Sequence, residues 1–266
     1  MMEHTMSNKP IDIVMVTYQR KEITQNAINY LNTRTNYPFR LFVVDNQSTD
    51  GTEKMLEQME KDGRIFLSLR FSRNVGIHMA HNIGLSLVDS DYYISTDNDI
   101  YVPDLGEKCW LTQLVELMDN NKNYSAIACK PHAFIGAKAL EDAENGVYEV
   151  PMCGAVMRIM RTDVIKRVGG WDKIYDAKRN HEEKTICSRI HSIKGKVGYA
   201  SNITCYHDFG DDNNWGYKDI HPHEHGHRIP GGGKFATGPK KVGEIWPSPK
   251  MLQIIDQLDQ KSWEKL

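Results

Sequence analysis

The chain has 266 residues and a formal net charge of −2. That length suffices for one large core, or one core with an appendage, and the charge balance argues against a broad nucleic-acid footprint. Five cysteines, at positions 109, 129, 153, 187 and 205, fit a reduced compartment better than a disulfide framework, and no CxxC pair points to zinc. Residues 1–10 lack the apolar centre of a signal peptide and read as a flexible start. No run of about 18 apolar residues predicts a spanning helix, so a cytoplasmic protein is expected.

Residues 11–18, IDIVMVTY, predict a buried strand, and Ile23, Ala27, Ile28 and Leu31 repeat at helical spacing over 20–33. FRLFVVD at 39–45 predicts the second strand. Asp50, with Glu53 three residues on, has the form of a capping box. A third strand is expected over 65–69, a helix over 75–88 and a fourth strand over 91–96. This alternation implies an α/β fold, a mostly parallel sheet with helices on both faces. Ligands of such sheets gather at the carboxyl ends of the strands, where Tyr18, Asp45 and Asp97 fall. The first strand exits into TYQRKE without a GxGxxG, so the fold is nucleotide-binding in type and lacks the NAD-binding fingerprint.

In the second half, a helix is expected near 107–119 and a strand at 125–131. Residues 149–161 suit a strand pair or a strand entering a helix. Asp163 starts a short helix that Gly169 and Gly170 stop. A helix over 180–195 and a strand at KVGYAS follow. Residues 208–250, rich in glycine, histidine and aspartate, read either as an active-site cover or as a surface loop. Residues 251–266 predict a helix with Leu252, Ile255 and Leu258 on one side. That stripe suits packing on the body or a partner subunit, with peripheral contact on the inner face of a membrane as the other reading.

The chemistry concentrates in STDNDI, where Asp97 and Asp99 flank Asn98 at the end of an apolar run. Carboxylates two apart share a face in a strand, and a turn at Asn98 also brings them together. Their hard oxygens suit Mg²⁺ or Mn²⁺, bridging protein to phosphate, although solvated turn acids have the same appearance. His207, after SNITCY, offers an imidazole to the same ion. The histidines at 221, 223, 225 and 227 match no firm zinc spacing. Glu182 and Glu183 open a helix, where the dipole favours them; either also suits a general base. Asp45 ends its strand and is placed to meet a base or ribose, or to make an Asx turn.

Taken in order, these segments resemble the family 2 glycosyltransferases of the GT-A fold. IDIVMVTYQR is similar to the family's first nucleotide-binding segment and FVVDNQSTDGT to its second. RNVGIHMAHNIG, with Asn74, Gly76 and Asn82, is similar to the third. STDNDI resembles the metal motif, and CGAVMRIMR and GGWD resemble the acceptor segments. The resemblance covers roughly residues 10–208. It implies a catalytic domain over 11–207, with a nucleotide half to 105 and an acceptor half from 106.

The resemblance also implies roles. Asp45 recognises the base, with Thr17, Tyr18, Asn74, Gly76 and Asn98 nearby, and Asp97 approaches the ribose or sugar. Asp99 is the principal metal carboxylate, assisted by Asp97 and His207. Gly154, Trp171 and Asp172 border the acceptor, and Glu183 is the base, with Glu182 the alternative. The cofactor implied is Mn²⁺ or Mg²⁺. The donor implied is a nucleotide sugar, UDP-linked first, and the acceptor a saccharide, glycolipid or glycoprotein. The chain departs from the family in EEKTICSR, where Glu183 replaces the usual aspartate and Thr185 a later acid. It departs again at His78 and His81, near which an arginine is usual.

Overall fold

Strand β1 (Ile11–Thr17) is buried along its whole length, which is why it is a continuous apolar run. Its side chains alternate between two cores. Ile11, Ile13 and Met15 meet helices α1 (Lys21–Arg34), α2 (Thr52–Lys61) and α4 (Trp110–Asn120) through residues such as Leu31, Leu56 and Leu114. Val14 and Val16 meet α3 (Ile77–Ser86), α5 (Thr162–Arg167) and α6 (Glu182–Ser192) on the opposite face. The molecule is known from a computed structural model that describes residues 10–132, 143–172 and 182–208 and the backbone of 245–246.

The remaining strands are β2 (Phe39–Asp45), β3 (Leu67–Phe71), β4 (Tyr92–Asp97), β5 (Ile100–Tyr101), β6 (Tyr124–Pro131), β7 (Val147–Glu149), β8 (Arg158–Arg161), β9 (Lys196–His207) and β10 (Ile245–Trp246). Their order is β10-β3-β2-β1-β4-β8-β6-β9-β5, with β7 pairing to β9. The expected parallel sheet occupies the first half, where β3, β2, β1 and β4 run together. Beyond β4 the sheet is mixed: β8 lies antiparallel to both β4 and β6, and only β6 with β9 restores a parallel pair. The cause is β8, an added strand without the helical crossover that a parallel neighbour needs.

The parallel half sets the site. Thr17 of β1 pairs with Asp45 of β2, and Val16 with Asp97 of β4, so three strand ends share one edge. The predicted capping box does not form. Asp50 Oδ2 instead accepts the Lys21 amide at 2.8 Å, tying down the start of α1, and Oδ1 accepts the Thr52 amide at 3.1 Å. Glu53 turns away to pair with Arg70. Gly51, in the left-handed region, is the residue next to the helix, which places Asp50 one position too early to cap α2. Among the described residues no helix is long and apolar enough to cross a membrane. The flexible start to residue 9, most of the 208–250 cover and the 251–266 helix lie outside the described residues.

Helix α3 lies against β1 because Gly84 has no side chain: a Cβ there would sit 2.2 Å from Val14 Cγ1. Alanine would gain about 1 kcal/mol of helix propensity, but overpacking a β-branched, fully buried neighbour costs about 1–3 kcal/mol. Gly84→Ala is therefore expected to lower the urea midpoint despite alanine's better helix propensity; an unchanged or higher midpoint would refute this packing.

Candidate active site

The turn after β1 carries two consecutive residues with positive φ, Gln19 (57°) and Arg20 (62°). Neither is glycine, and each such residue costs about 1–2 kcal/mol of backbone strain. The turn sends Arg20 inward. Its Nη1 donates to Asp99 Oδ2 at 2.8 Å, and its Nη2 donates to the Asp208 carbonyl at 2.8 Å. Both ion-pair partners are 2 % exposed. The other Asp99 oxygen faces His207 Nε2 at 3.3 Å. Burial pushes the Asp99 carboxyl up, but the hydrogen bond and charge of His207 and the charge of Arg20 outweigh it and hold the group below the usual aspartate range.

Asn98 fixes the turn between the two aspartates. Its Nδ2 donates to Thr17 Oγ1 at 3.0 Å and to Thr24 Oγ1 at 2.8 Å, locking the turn to β1 and α1. The Thr17 hydroxyl and Asn98 amide thus have partners inside the protein and position the site from below. Asp99 reaches toward α1 and β9. Asp97, at the end of β4, lies on the face of Ser95, toward β8 and α6. Burial raises the Asp97 carboxyl well above its ordinary value, and the negative charges of Asp99, Glu182 and Glu183 push the same way. Four carboxylates therefore converge on one region.

Arg158 answers part of that charge. It is wholly buried on β8, pairs with Glu182, and donates to Ser95 Oγ at 3.3 Å and to the Cys153 carbonyl at 3.2 Å. Trp171 Nε1 donates to Glu182 Oε1 at 2.6 Å. Burial raises the Glu182 carboxyl, but Arg158 more than cancels this and the group ends below its ordinary value. Glu183 has no such partner among the hydrogen bonds of the described residues. Burial, reinforced by Glu182, raises its carboxyl above the ordinary glutamate range. The two neighbours thus divide: the Glu182 carboxyl is lowered by its partners inside the core, and the Glu183 carboxyl is raised.

Further along the same edge, the site is built on β2. Asp45 Oδ1 accepts the Ser48 amide at 2.9 Å and its hydroxyl at 2.6 Å. Asp45 Oδ2 is buried without a hydrogen bond, with Arg70 Nε 4.0 Å away. Burial raises this carboxyl despite the Ser48 bonds. Asn74 Oδ1 accepts the Gly76 amide at 2.9 Å, while its Nδ2 is buried without a partner. Gly76, at φ 82° and ψ 158°, occupies a region that glycine alone enters readily. Tyr18 follows β1 at the same edge, partly exposed.

On the acceptor side the structure corrects the placement of Trp171. The residue is 1 % exposed, which places it inside the core rather than on the surface. It stacks on His81, centroids 4.8 Å apart, and burial pushes His81 down to about 4. Asn82 clasps the Trp171 backbone, accepting from its amide at 2.9 Å and donating to its carbonyl at 3.0 Å. That clasp explains Gly170, whose added Cβ would meet Asn82 Oδ1 at 2.3 Å. Asp172 pairs with Arg189, which is thereby a helix anchor. The Gly154 amide donates to Tyr199 Oη at 2.8 Å.

Among the described residues no three His, Cys, Asp or Glu side chains are gathered to hold a metal unaided. Asp99 and His207 nevertheless fit one. A buried carboxylate beside an imidazole supplies two ligands, and phosphate oxygens and water complete such sites for hard cations. Sequence reading missed Arg20 and Arg158. Arg158 had a signal: a lone charge between Met157 and Ile159 in an apolar strand calls for a buried counter-ion.

The sequence profile of "Glycosyl transferase family 2" matches residues 12–169. A Haemophilus influenzae protein described as an uncharacterized glycosyltransferase is 23% identical over 123 residues, spanning 46% of this chain and 37% of that one. Among solved structures, the mannosyltransferase PcManGT from Pyrobaculum calidifontis, in complex with GDP-Man and Mn²⁺, superposes with a TM-score of 0.64 at 17% identity, covering 76% of this chain and 57% of that one. TarS 1-349 from S. aureus, in complex with UDP-GlcNAc, gives 0.59 at 17% identity, covering 76% and 60%. At such identity these likenesses establish the fold. The chain spans less than two thirds of each of these proteins.

Removing one member of a buried pair strands the other, at about 3–5 kcal/mol. Arg158→Met is expected to destabilise the protein by that order in urea unfolding, and Arg158→Met with Glu182→Gln by clearly less. Equal losses in the two proteins would show that the pair does not carry the effect.

Proposed function

The chain belongs to glycosyl transferase family 2, and on that premise we propose that it transfers a sugar from a nucleotide-diphosphate sugar to a hydroxyl of a saccharide or glycoconjugate, with inversion. The observation that carries this reading is the separation of charge at one sheet edge. Asp99 faces cations, Asp97 and Glu183 carry raised carboxyls, and among the described residues Asp45 keeps a buried oxygen without a hydrogen bond a short distance along the edge.

Asp45 Oδ2 accepts the imide N–H of the base, for which uracil is the first choice. The nucleotide sugars bound to the structural relatives support a donor of this class. The backbone amides of Asn74, Val75 and Gly76 are held by Gln47, Asn46 and Asn74, which fixes this turn beside Asp45. Asp99 and His207 hold Mn²⁺ or Mg²⁺, which when bound offsets charge on the leaving diphosphate. Asp97 lies between this pair and the α6 carboxylates, where a sugar hydroxyl suits its raised carboxyl. Glu183 accepts the proton of the acceptor hydroxyl as that oxygen attacks the anomeric carbon from the far face. A single displacement needs no protein nucleophile. The Gly154 segment borders the acceptor, with Asp172 at its rim.

Glu183→Gln is expected to lower transfer by about 10²–10⁴-fold while nucleotide binding, read by thermal shift with UDP and GDP, stays within about twofold. Near-wild-type transfer would remove Glu183 from the mechanism. A base must be deprotonated to work, so activity should fall as pH drops through the Glu183 pKa. Because that pKa is raised, the acid limb of the rate profile should lie above the ordinary glutamate range and vanish from what remains in Glu183→Gln. The anomeric configuration of the product, read by NMR, tests inversion; retention would exclude the single displacement.

A further inference from the structure

We propose that Arg20 keeps the Asp99 carboxylate closed to a divalent cation until a nucleotide diphosphate arrives, so that metal and donor enter together. This rests on the metal-site reading above and adds a residue to which no role was attached. Asp99 has two oxygens, and the protein faces both: Arg20 stands 2.8 Å from Oδ2 and His207 3.3 Å from Oδ1. A divalent ion entering alone meets a guanidinium that cannot deprotonate, in a buried place where cations repel strongly. A diphosphate changes the balance. Its oxygens offer the planar fork a partner at least as good as the carboxylate, and the ion then takes the oxygen that Arg20 leaves.

The geometry suits such an exchange. Arg20 bridges two chain segments, Asp99 by one nitrogen and the Asp208 carbonyl by the other, immediately beside His207. Its backbone sits in the left-handed region directly after another residue in that region, a turn held at the cost of strain. A guanidinium needed only to neutralise a core acid has no use for such a turn, as Arg158 demonstrates from a regular strand.

The test is Mn²⁺ binding to the full chain, followed by the EPR signal of free Mn²⁺, without nucleotide and with UDP or GDP. Wild type is expected to bind Mn²⁺ weakly alone and at least about tenfold more tightly with the nucleotide it accepts, within the usual range of linked binding. Arg20→Met is expected to bind Mn²⁺ alone about tenfold more tightly than wild type, with a smaller nucleotide effect. An Arg20→Met protein that keeps its circular dichroism but binds Mn²⁺ alone no better than wild type overturns the proposal. Should that variant not fold, Arg20→Lys decides, because it keeps the charge but loses the fork: its nucleotide effect should shrink, and an unchanged effect overturns the proposal. Asp99→Asn separates the two levels. Loss of Mn²⁺ binding there beside an unchanged Arg20→Met sinks the proposal alone, whereas retained binding sinks the metal site with it.

Discussion

Like charges gathered in a medium of low dielectric repel one another strongly, and Asp97, Asp99, Glu182 and Glu183 are so gathered. Much of the surrounding architecture answers that repulsion. Arg158 enters from β8 and Arg20 from the turn after β1, each nearly or wholly removed from water. The cations are not shared evenly. Glu182 and Asp99 receive direct ion pairs and have lowered carboxyls, while among the described residues Asp97 and Glu183 receive none and have raised ones. One unequal distribution of guanidinium groups therefore leaves two of the four carboxyls lowered and two raised.

The fold supplies the distribution through register. Antiparallel pairing sets Arg158 opposite Ser95, two residues before Asp97 and on its face. Parallel pairing sets Thr17 beside Asp45 and Val16 beside Asp97. A slip of one residue in either ladder would send these side chains to the other face. Asn98 adds a local lock, because its amide joins the turn to two threonines of β1 and α1. The clasp between Asn82 and Trp171 joins α3 to the segment before α6, and so sets where Glu182 meets its partners.

The parallel half was legible in the sequence because each strand is a bounded apolar run and each helix keeps its period. The expected strand at 39–45 matches β2 residue for residue. The second half was less legible for physical reasons. Strand β8 is four residues long and follows a loop, so periodicity has little to act on. Trp171 was placed at the acceptor border only by the resemblance of GGWD to a family segment; its indole N–H meets the buried carboxylate of Glu182. Asp50 holds the first residue of α2 as its sequence suggested, through the Thr52 amide, but its bond to the Lys21 amide at the start of α1, 29 residues away in sequence, was not legible. Arg20 carried no local signal at all. A charged residue after a strand usually meets solvent, and only the left-handed turn, invisible in composition, points it inward.

Arg158 and Arg20 show two uses of one side chain. Glu182 is met by Arg158 and by the Trp171 indole deep in the core, so its charge is settled by the protein alone. Asp99 is met by a guanidinium and an imidazole that come from a turn and a strand end, both at the edge where phosphate is expected. Removing a cation from a buried carboxylate is costly unless another takes its place. In the exchange proposed above, a divalent ion would replace Arg20 and the guanidinium would pass to phosphate, leaving every charge paired before and after. On that proposal the carboxylate would stay ionised at every stage without binding metal strongly when no donor is present.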